Sequence, residues 1–289
     1  MKIYLLPIDE RFRPKSQPFK YPRHNNDFGV EQDFLDYLLK NKENILVDDP
    51  IIADWHYLPV FWTRWHLNHD YAKTGLDELQ EEVSNVVFDW SKTFTVCQYD
   101  DGPVIDLKNT LQFLASRKSD KGIDIPLLCQ NHKMPLWPPK KKYLASFIGL
   151  NTHPIRQQML ELLNKDKDIY LLLKSKRINF FIRKALSSYV ALAPRGYGGS
   201  SFRLFEAMQL GIAPFLIGDL DTRPFKKFID WDKISFYTDN VLNIKNIIKL
   251  KSKDELILIG AEAKRIYESE LKYGKWCKYV LFELENINK

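Results

Sequence analysis

The stretch Ser188-Tyr189-Val190-Ala191-Leu192-Ala193-Pro194-Arg195-Gly196-Tyr197-Gly198-Gly199-Ser200-Ser201-Phe202-Arg203-Leu204-Phe205-Glu206-Ala207-Met208-Gln209-Leu210-Gly211-Ile212-Ala213-Pro214-Phe215-Leu216-Ile217 decides how this chain folds. Tyr189 to Ala193 is an unbroken apolar run, the pattern of a strand buried on both faces of a parallel sheet. Gly196, Gly198 and Gly199 follow, where backbone turns sharply or comes close to a ligand. Ser200 or Ser201 is a candidate N-cap for a helix that carries Glu206 inside its first two turns. Gly211 sits where that helix should stop, and Ile212 to Ile217 resumes as a second strand. Strand, glycine turn and helix N-terminus together make an anion site, because unsatisfied N–H groups and the helix dipole point the same way. Arg195 and Arg203 flank the turn with permanent positive charge. A diphosphate-bearing ligand fits this arrangement.

The same alternation extends in both directions from that stretch. Upstream, Tyr143 to Gly149 and Asp168 to Leu173 read as strands. Pro154 to Leu163 reads as a helix, with Thr152 as N-cap and the proline near N1, and Asn179 to Leu186 as another helix. Downstream come Pro224 to Ile229, a strand over Lys233 to Tyr237, a helix over Val241 to Leu250, and helical stretches over Lys253 to Ser269 and Tyr273 to Asn286. Asn131 to Lys142, with three prolines and a lysine cluster, reads as a linker.

Before the linker, Lys2 to Ile8 reads as a strand, followed by a polar, proline-rich loop from Asp9 to Asp27. Val30 to Leu39 and Leu76 to Val86 have helical spacing. Ala53 to Phe61 and Thr93 to Tyr99 read as strands, Leu107 to Ala115 as a short helix, and Ile123 to Leu128 as extended chain. The fold class expected is α/β, with two doubly wound Rossmann-like domains and a ligand cleft between them. Residues 1–140 form the first domain and 141–270 the second, while the helix over 271–289 returns to the first.

A chain of 289 residues suffices for two cores. The net charge of +6 is modest and its lysines are spread out, so nucleic-acid binding is not the expected role. Three cysteines, Cys97, Cys129 and Cys277, show no metal spacing and suit a reducing compartment. The N-terminal Met1 to Leu6 breaks at Pro7, too soon for a signal peptide. No run of about 18 apolar residues occurs, so no integral membrane association and a cytoplasmic location are expected.

With those residues laid out, the chain resembles the exostosin-like glycosyltransferases, family GT47. Pro194 to Gly198, Ser201 to Ala207 and Gly211 to Pro214 resemble that family's most distinctive block. Ala53-Asp54-Trp55-His56-Tyr57-Leu58-Pro59-Val60 resembles its early strand motif. Tyr99-Asp100-Asp101-Gly102-Pro103 resembles the His-Asp-x-Gly element, with Tyr99 where the family often has His. Lys121 to Pro126, Ala145 to Gly149 with Arg156 and Leu160, and Pro224 to Trp231 match further elements in order. The resemblance implies a GT-B architecture, with two Rossmann-like domains facing a cleft and the nucleotide sugar on the C-terminal one. It also implies an inverting transfer that usually needs no metal. Most relatives carry a membrane anchor, and none is read here. A short form without one suits a setting that glycosylates in the cytoplasm, such as a large algal virus and its host.

The nucleotide side is assigned to Arg156, Arg195, Gly196, Tyr197, Gly198, Gly199, Ser200, Ser201, Arg203 and Glu206. Glu206 would accept both ribose hydroxyls, while the serines and local N–H groups hold the diphosphate. Without a metal, a cation must stabilise the departing nucleoside diphosphate. Arg156, Arg195 and Arg203 all compete for that role. An inverting transfer also needs a general base, for which Asp100 is preferred over Asp101, Asp54, His56 and Asp9. No HExxH occurs; His66 and His69 have i,i+3 spacing without a third ligand, and Asp219-Leu220-Asp221 reads as a loop feature, so no metal site is expected. The expected function is metal-independent transfer of a neutral sugar, xylose or galactose-like, from a UDP-sugar to a hydroxyl of a glycan or glycoprotein acceptor. A catalytically silent glycan- or nucleotide-binding domain and a basic nucleic-acid-binding protein are the competing readings.

Overall fold

The computed structural model describes residues 1–17 and 29–287. In chain order these form β1 (Ile3–Leu5), α1 (Val30–Lys40), α2 (Lys42–Ile45), β2 (Leu46–Val47), β3 (Trp55–Tyr57), α3 (Trp62–Asn68), α4 (Leu76–Val86), β4 (Thr93–Cys97), β5 (Leu111–Leu114) and β6 (Ile123–Asp124). There follow β7 (Tyr143–Ile148), α5 (Pro154–Leu163), β8 (Ile169–Leu172), α6 (Ile178–Leu186), β9 (Ser188–Pro194), α7 (Phe202–Leu210), β10 (Ala213–Ile217), α8 (Trp231–Ile234), β11 (Phe236–Thr238), α9 (Ile244–Lys249), α10 (Lys253–Ile266) and α11 (Cys277–Ile287). The chain divides into two compact units, Met1–Leu128 with Tyr273–Lys289, and Cys129–Lys272.

The first unit is built on a parallel six-stranded sheet, in the order β2-β1-β3-β4-β5-β6. Phe12, Trp62, Trp65, Leu79 and Val83 pack into one apolar cluster of this unit with Leu58, Val60 and Cys97. Phe34 of α1 stands edge-on to Tyr57 and Phe94, with ring centroids at 5.1 and 5.9 Å. Trp276, just ahead of α11, joins them at 5.9 Å from Phe34. Its indole donates to Asp33 Oδ2 at 2.7 Å, and the Gly274 amide donates to the same oxygen at 2.8 Å. Burial of that carboxyl raises its pKa despite the two donors. Aromatic stacking and a fixed acceptor thus pin the late segment onto α1.

The second unit carries a parallel five-stranded sheet, in the order β11-β10-β9-β7-β8. The chain runs from β7 outward to β8, then crosses back over β7 to β9 and continues to β10 and β11. The order of winding therefore reverses between β7 and β9. One apolar layer gathers Ile155, Met159 and Leu163 of α5 with Ile244 and Ile248 of α9. A second gathers Phe181, Ile182, Ala185 and Leu186 of α6 with Ala207 and Leu210 of α7. The helix α10 starts in a capping box, in which Ser252 Oγ accepts from the Glu255 amide and the Glu255 carboxylate accepts from the Ser252 amide. It crosses the chain at Gly211 so closely that a Cβ on Gly260 would stand 2.5 Å from the Gly211 carbonyl oxygen.

Several local expectations need correction. Leu107 to Ala115 is not a helix; Leu111–Leu114 is the strand β5, paired on both sides by β4 and β6. Its Leu107, Leu111 and Leu114 satisfy helical spacing, but long-range pairing and the buried Phe113 override it. Lys233 and Ile234 close the short helix α8, so the strand expected from Lys233 begins only at Phe236. The cap of α5 is His153, whose Nδ1 accepts from the Ile155 amide at 3.3 Å, and not Thr152. Of the loop expected over Asp9 to Asp27, residues 18–27 lie outside the described residues. Among the described residues no helix is long and apolar enough to cross a membrane.

Candidate functional site

The turn between β9 and α7 lies at the carboxyl end of the second sheet, beside the point where the winding reverses. It is held from within and from below. The Gly196 amide donates to the Ser200 carbonyl at 3.1 Å, closing the loop, and the Arg195 amide donates to Ile217 on the neighbouring strand at 2.8 Å. Arg195 Nε donates to Gly198 O at 3.0 Å, while its Nη1 pairs with Asp219. Thr222 Oγ1 donates to Gly199 O at 3.2 Å. These contacts brace the turn along its whole length.

Arg156, two residues into α5, is buried beneath the turn. Its Nε donates to Arg195 O at 2.9 Å, Nη2 to Pro194 O at 3.0 Å and Nη1 to Leu150 O at 2.7 Å. One guanidinium thus ties the loop after β7 to the loop after β9, a fork that lysine could not reproduce. The Gly149 and Gly196 positions leave room for it; a Cβ on Gly196 would lie 3.3 Å from Arg156 Nη2. The guanidinium thus places a buried positive charge directly against the glycine turn.

Ser201 holds the N-cap position of α7, yet its hydroxyl makes no capping bond. Both Ser201 Oγ and Thr152 Oγ1 are buried without a hydrogen-bond partner. Thr152 Oγ1 would lie 3.7 Å from a Cβ on Gly196, so it faces the same turn. Unpaired buried hydroxyls are uncommon, because each forfeits its bond to water. Ser201 Oγ at the α7 N-cap and Thr152 Oγ1 facing the turn are two such donors, each free to meet an acceptor. Tyr197 stands out on the exposed rim.

Glu206 is completely buried on α7. Its Oε2 pairs with Arg203, one turn earlier, and its Oε1 lies 3.0 Å from His132 Nε2. Arg203 also donates to Ile148 O at 2.7 Å and lies over the Phe181 ring at 4.3 Å. Gln209, on the same helix face, accepts from the His132 amide at 3.0 Å and donates to Tyr267 Oη at 3.0 Å. The segment after Cys129 is therefore laid along α7. Nothing in the sequence marks His132, and Thr152 is read there only as a helix cap; Gln209 could have been found from its i,i+3 relation to Glu206.

The base candidates do not cluster. Asp100 and Asp101 follow β4 at the carboxyl edge of the first sheet, where Asp100 is half-buried and Asp101 pairs with Lys118. Asp54 lies at the opposite edge, just before β3, where its carboxylate accepts from the Lys2 amide at 2.6 Å. His56 is buried inside β3, with Nε2 at 3.2 Å from Pro50 O and its ring against Phe88; burial lowers its pKa. Neither residue occupies the strand end expected for it. Asp9 caps a helical turn and accepts from the Arg11 amide.

His66 is sealed beside Tyr99, with ring centroids at 4.8 Å, and burial pushes its pKa down to about 4. Glu31, also buried, accepts from Thr63 N and Oγ1 and from Gln98 N, while desolvation raises its pKa. Asp221 is bonded to Arg223 and Lys226. Among the described residues no three His, Cys, Asp or Glu side chains form a group that could hold a metal.

The second unit has the fold of the doubly wound α/β proteins, and its glycine turn stands where such folds take their ligands. Residues 84–251 match the model of the Exostosin GT47 domain, which is more than half of the chain. This chain belongs to the exostosin GT47 family, and it has the two parallel-sheet α/β units that a GT-B enzyme requires. A stretch of 84 residues is 27% identical to Exostosin-1 of Drosophila melanogaster, covering 28% of this chain and 11% of that protein. The chain thus spans only about a tenth of that curated relative. Among solved structures, TarM matches over 73% of this chain and 58% of its own, at 10% identity and a TM-score of 0.38. A mutant of S. aureus TarM, in complex with Fondaparinux, alpha-GlcNAc-glycerol and UDP, matches over 73% and 59% at 11% identity and a TM-score of 0.39.

Proposed function

We propose that this chain is an inverting glycosyltransferase that moves a neutral sugar, xylose or galactose-like, from a UDP-sugar to a hydroxyl of a protein-linked glycan. The observation that carries this reading is the glycine turn at the winding reversal, with the unpaired Ser201 hydroxyl at the α7 N-cap and the unpaired Thr152 hydroxyl facing the turn. The diphosphate takes those hydroxyls and the amides of Gly198 to Ser201. Arg195 and Arg203 supply charge at its sides and Arg156 from below, so no metal is needed to stabilise the leaving group. The ribose diol takes Oε1 of Glu206 in exchange for His132.

Asp100 removes the proton from the acceptor hydroxyl. That oxygen forms its bond to the anomeric carbon on the face opposite the diphosphate, and the carbon–oxygen bond to UDP breaks with its electron pair leaving on the nucleotide. Calorimetric titration with UDP tests the donor site; absence of any binding overturns it. Incubation with a panel of UDP-sugars should then release free sugar from one of them. UDP binding without turnover of any donor would identify a silent member of the family instead.

A further inference from the structure

The segment Met134-Pro135-Leu136-Trp137-Pro138-Pro139-Lys140-Lys141-Lys142 has no part in donor binding, and it carries the most exposed large apolar pair in the second unit. Leu136 is 92% exposed and Trp137 84% exposed. Singly exposed leucines need no explanation, but an adjacent Leu-Trp pair held out by flanking prolines does. The chain then enters a basic surface. Lys141 and Lys253 lie over the Tyr189 ring at 5.8 and 5.6 Å, Lys142 and Lys184 over Tyr143 at 5.4 Å each, and Lys184 over Tyr170 at 4.6 Å. Tyr143 and Tyr170 meet at a tilt, with ring centroids 5.3 Å apart. Among the described residues none of these lysines, nor Lys140, is in an ion pair with a carboxylate, whereas Lys226, Lys233, Lys245 and Lys251 of the same unit are so paired. The cluster gathers five lysines without a carboxylate partner.

We propose that this surface docks the protein on an anionic lipid bilayer, with Leu136 and Trp137 entering the headgroup boundary and the lysines meeting the lipid charge. The chemistry of the segment favours this occupant. Indole is the side chain best suited to the boundary between water and hydrocarbon, leucine supplies apolar area, and lysine attracts acidic headgroups. The placement agrees. Lys141 Nζ donates to Ser188 O at 2.6 Å and the Lys142 amide to Ser187 O at 2.7 Å, so the patch surrounds the amino-terminal ends of β7 and β9. The glycine turn leaves the carboxyl end of β9. A bilayer at one end of the sheet therefore does not cover the turn at the other end.

The test uses the whole chain and phosphatidylcholine vesicles with or without about a third phosphatidylglycerol. The expected result is co-sedimentation with the acidic vesicles only, weakened at least tenfold by the pair Leu136→Ala and Trp137→Ala and similarly by Lys140→Glu with Lys142→Glu. Quenching of tryptophan fluorescence by brominated acyl chains, lost in Trp137→Phe, reads insertion directly in protein that is otherwise native. Failure to bind acidic vesicles overturns the proposal, as does binding that neither pair of substitutions changes. Tight binding to heparin through the same lysines, without vesicle binding, would assign the patch to a soluble polyanion and also overturns it.

Discussion

His132 Nε2 stands 3.0 Å from Oε1 of Glu206, and both side chains are closed to solvent. Both oxygens of the carboxylate thus have partners within the protein, His132 on one and Arg203 on the other. Under the proposed donor binding a ribose diol would replace His132, so the two residues should respond oppositely to substitution. His132→Ala is expected to leave UDP affinity unchanged or raise it, whereas Glu206→Gln should weaken it at least ~10-fold, since an amide is a poorer acceptor for two hydroxyls. Calorimetry on both variants decides. Equal weakening by the two would make Glu206 a purely structural residue.

Arg156→Lys is expected to destabilise the protein by about 2–4 kcal/mol, because a single ammonium cannot serve three separated carbonyls and leaves buried acceptors unpaired. Urea unfolding measures this loss. UDP binding should fall as well, since the turn would lose its support.

Gly260→Ala sets a methyl group 2.5 Å from Gly211 O and 2.9 Å from Ala213 N, which are backbone atoms and cannot rotate away. The helix α10 must shift as a body. A loss of about 2–4 kcal/mol is expected from thermal or urea melts. A loss below about 1 kcal/mol would show that the helix has room to move.

His66 gives the first unit an acid-sensitive element. Above pH 6.5 it is neutral in the folded and unfolded states alike. Between about 6.5 and about 4 the unfolded chain takes up a proton that the buried ring refuses, so stability falls as pH falls through this window. The contribution amounts to about 3 kcal/mol. Stability measured by urea unfolding from pH 7 to pH 4 should decline less steeply in His66→Gln than in the wild type. Identical slopes would show that His66 takes up its proton at the same pH folded and unfolded.

What the sequence reveals here is local, and what it conceals is non-local. The strand, turn and helix from Ser188 to Leu210 were legible because apolar runs, glycines and a cap serine act within a few residues of one another. The strand Leu111–Leu114 was not, because its leucines fit a helix until β4 and β6 pair with it. Arg156 was recognisable as important but its task was not, since carbonyl oxygens leave no mark on a sequence. Asp54 looked like a residue at a strand end and proved to be at a strand start, on the edge away from Asp100. His132 could not be found at all; its partner is on a helix far along the chain, and nothing around it is periodic.

The attachment of Trp276 to Asp33 and Phe34 has a consequence for biosynthesis. As the polypeptide leaves the ribosome, the amino-terminal sheet emerges complete while its last aromatic anchor is still untranslated. At about 5–20 residues per second that interval is roughly 8–30 s. The carboxyl-terminal sheet has all its strands out first and can mature ahead of the unit that precedes it. During the wait, the apolar face of α1 around Phe34 is a natural client for a nascent-chain chaperone, and a message truncated before Trp276 would leave it permanently so.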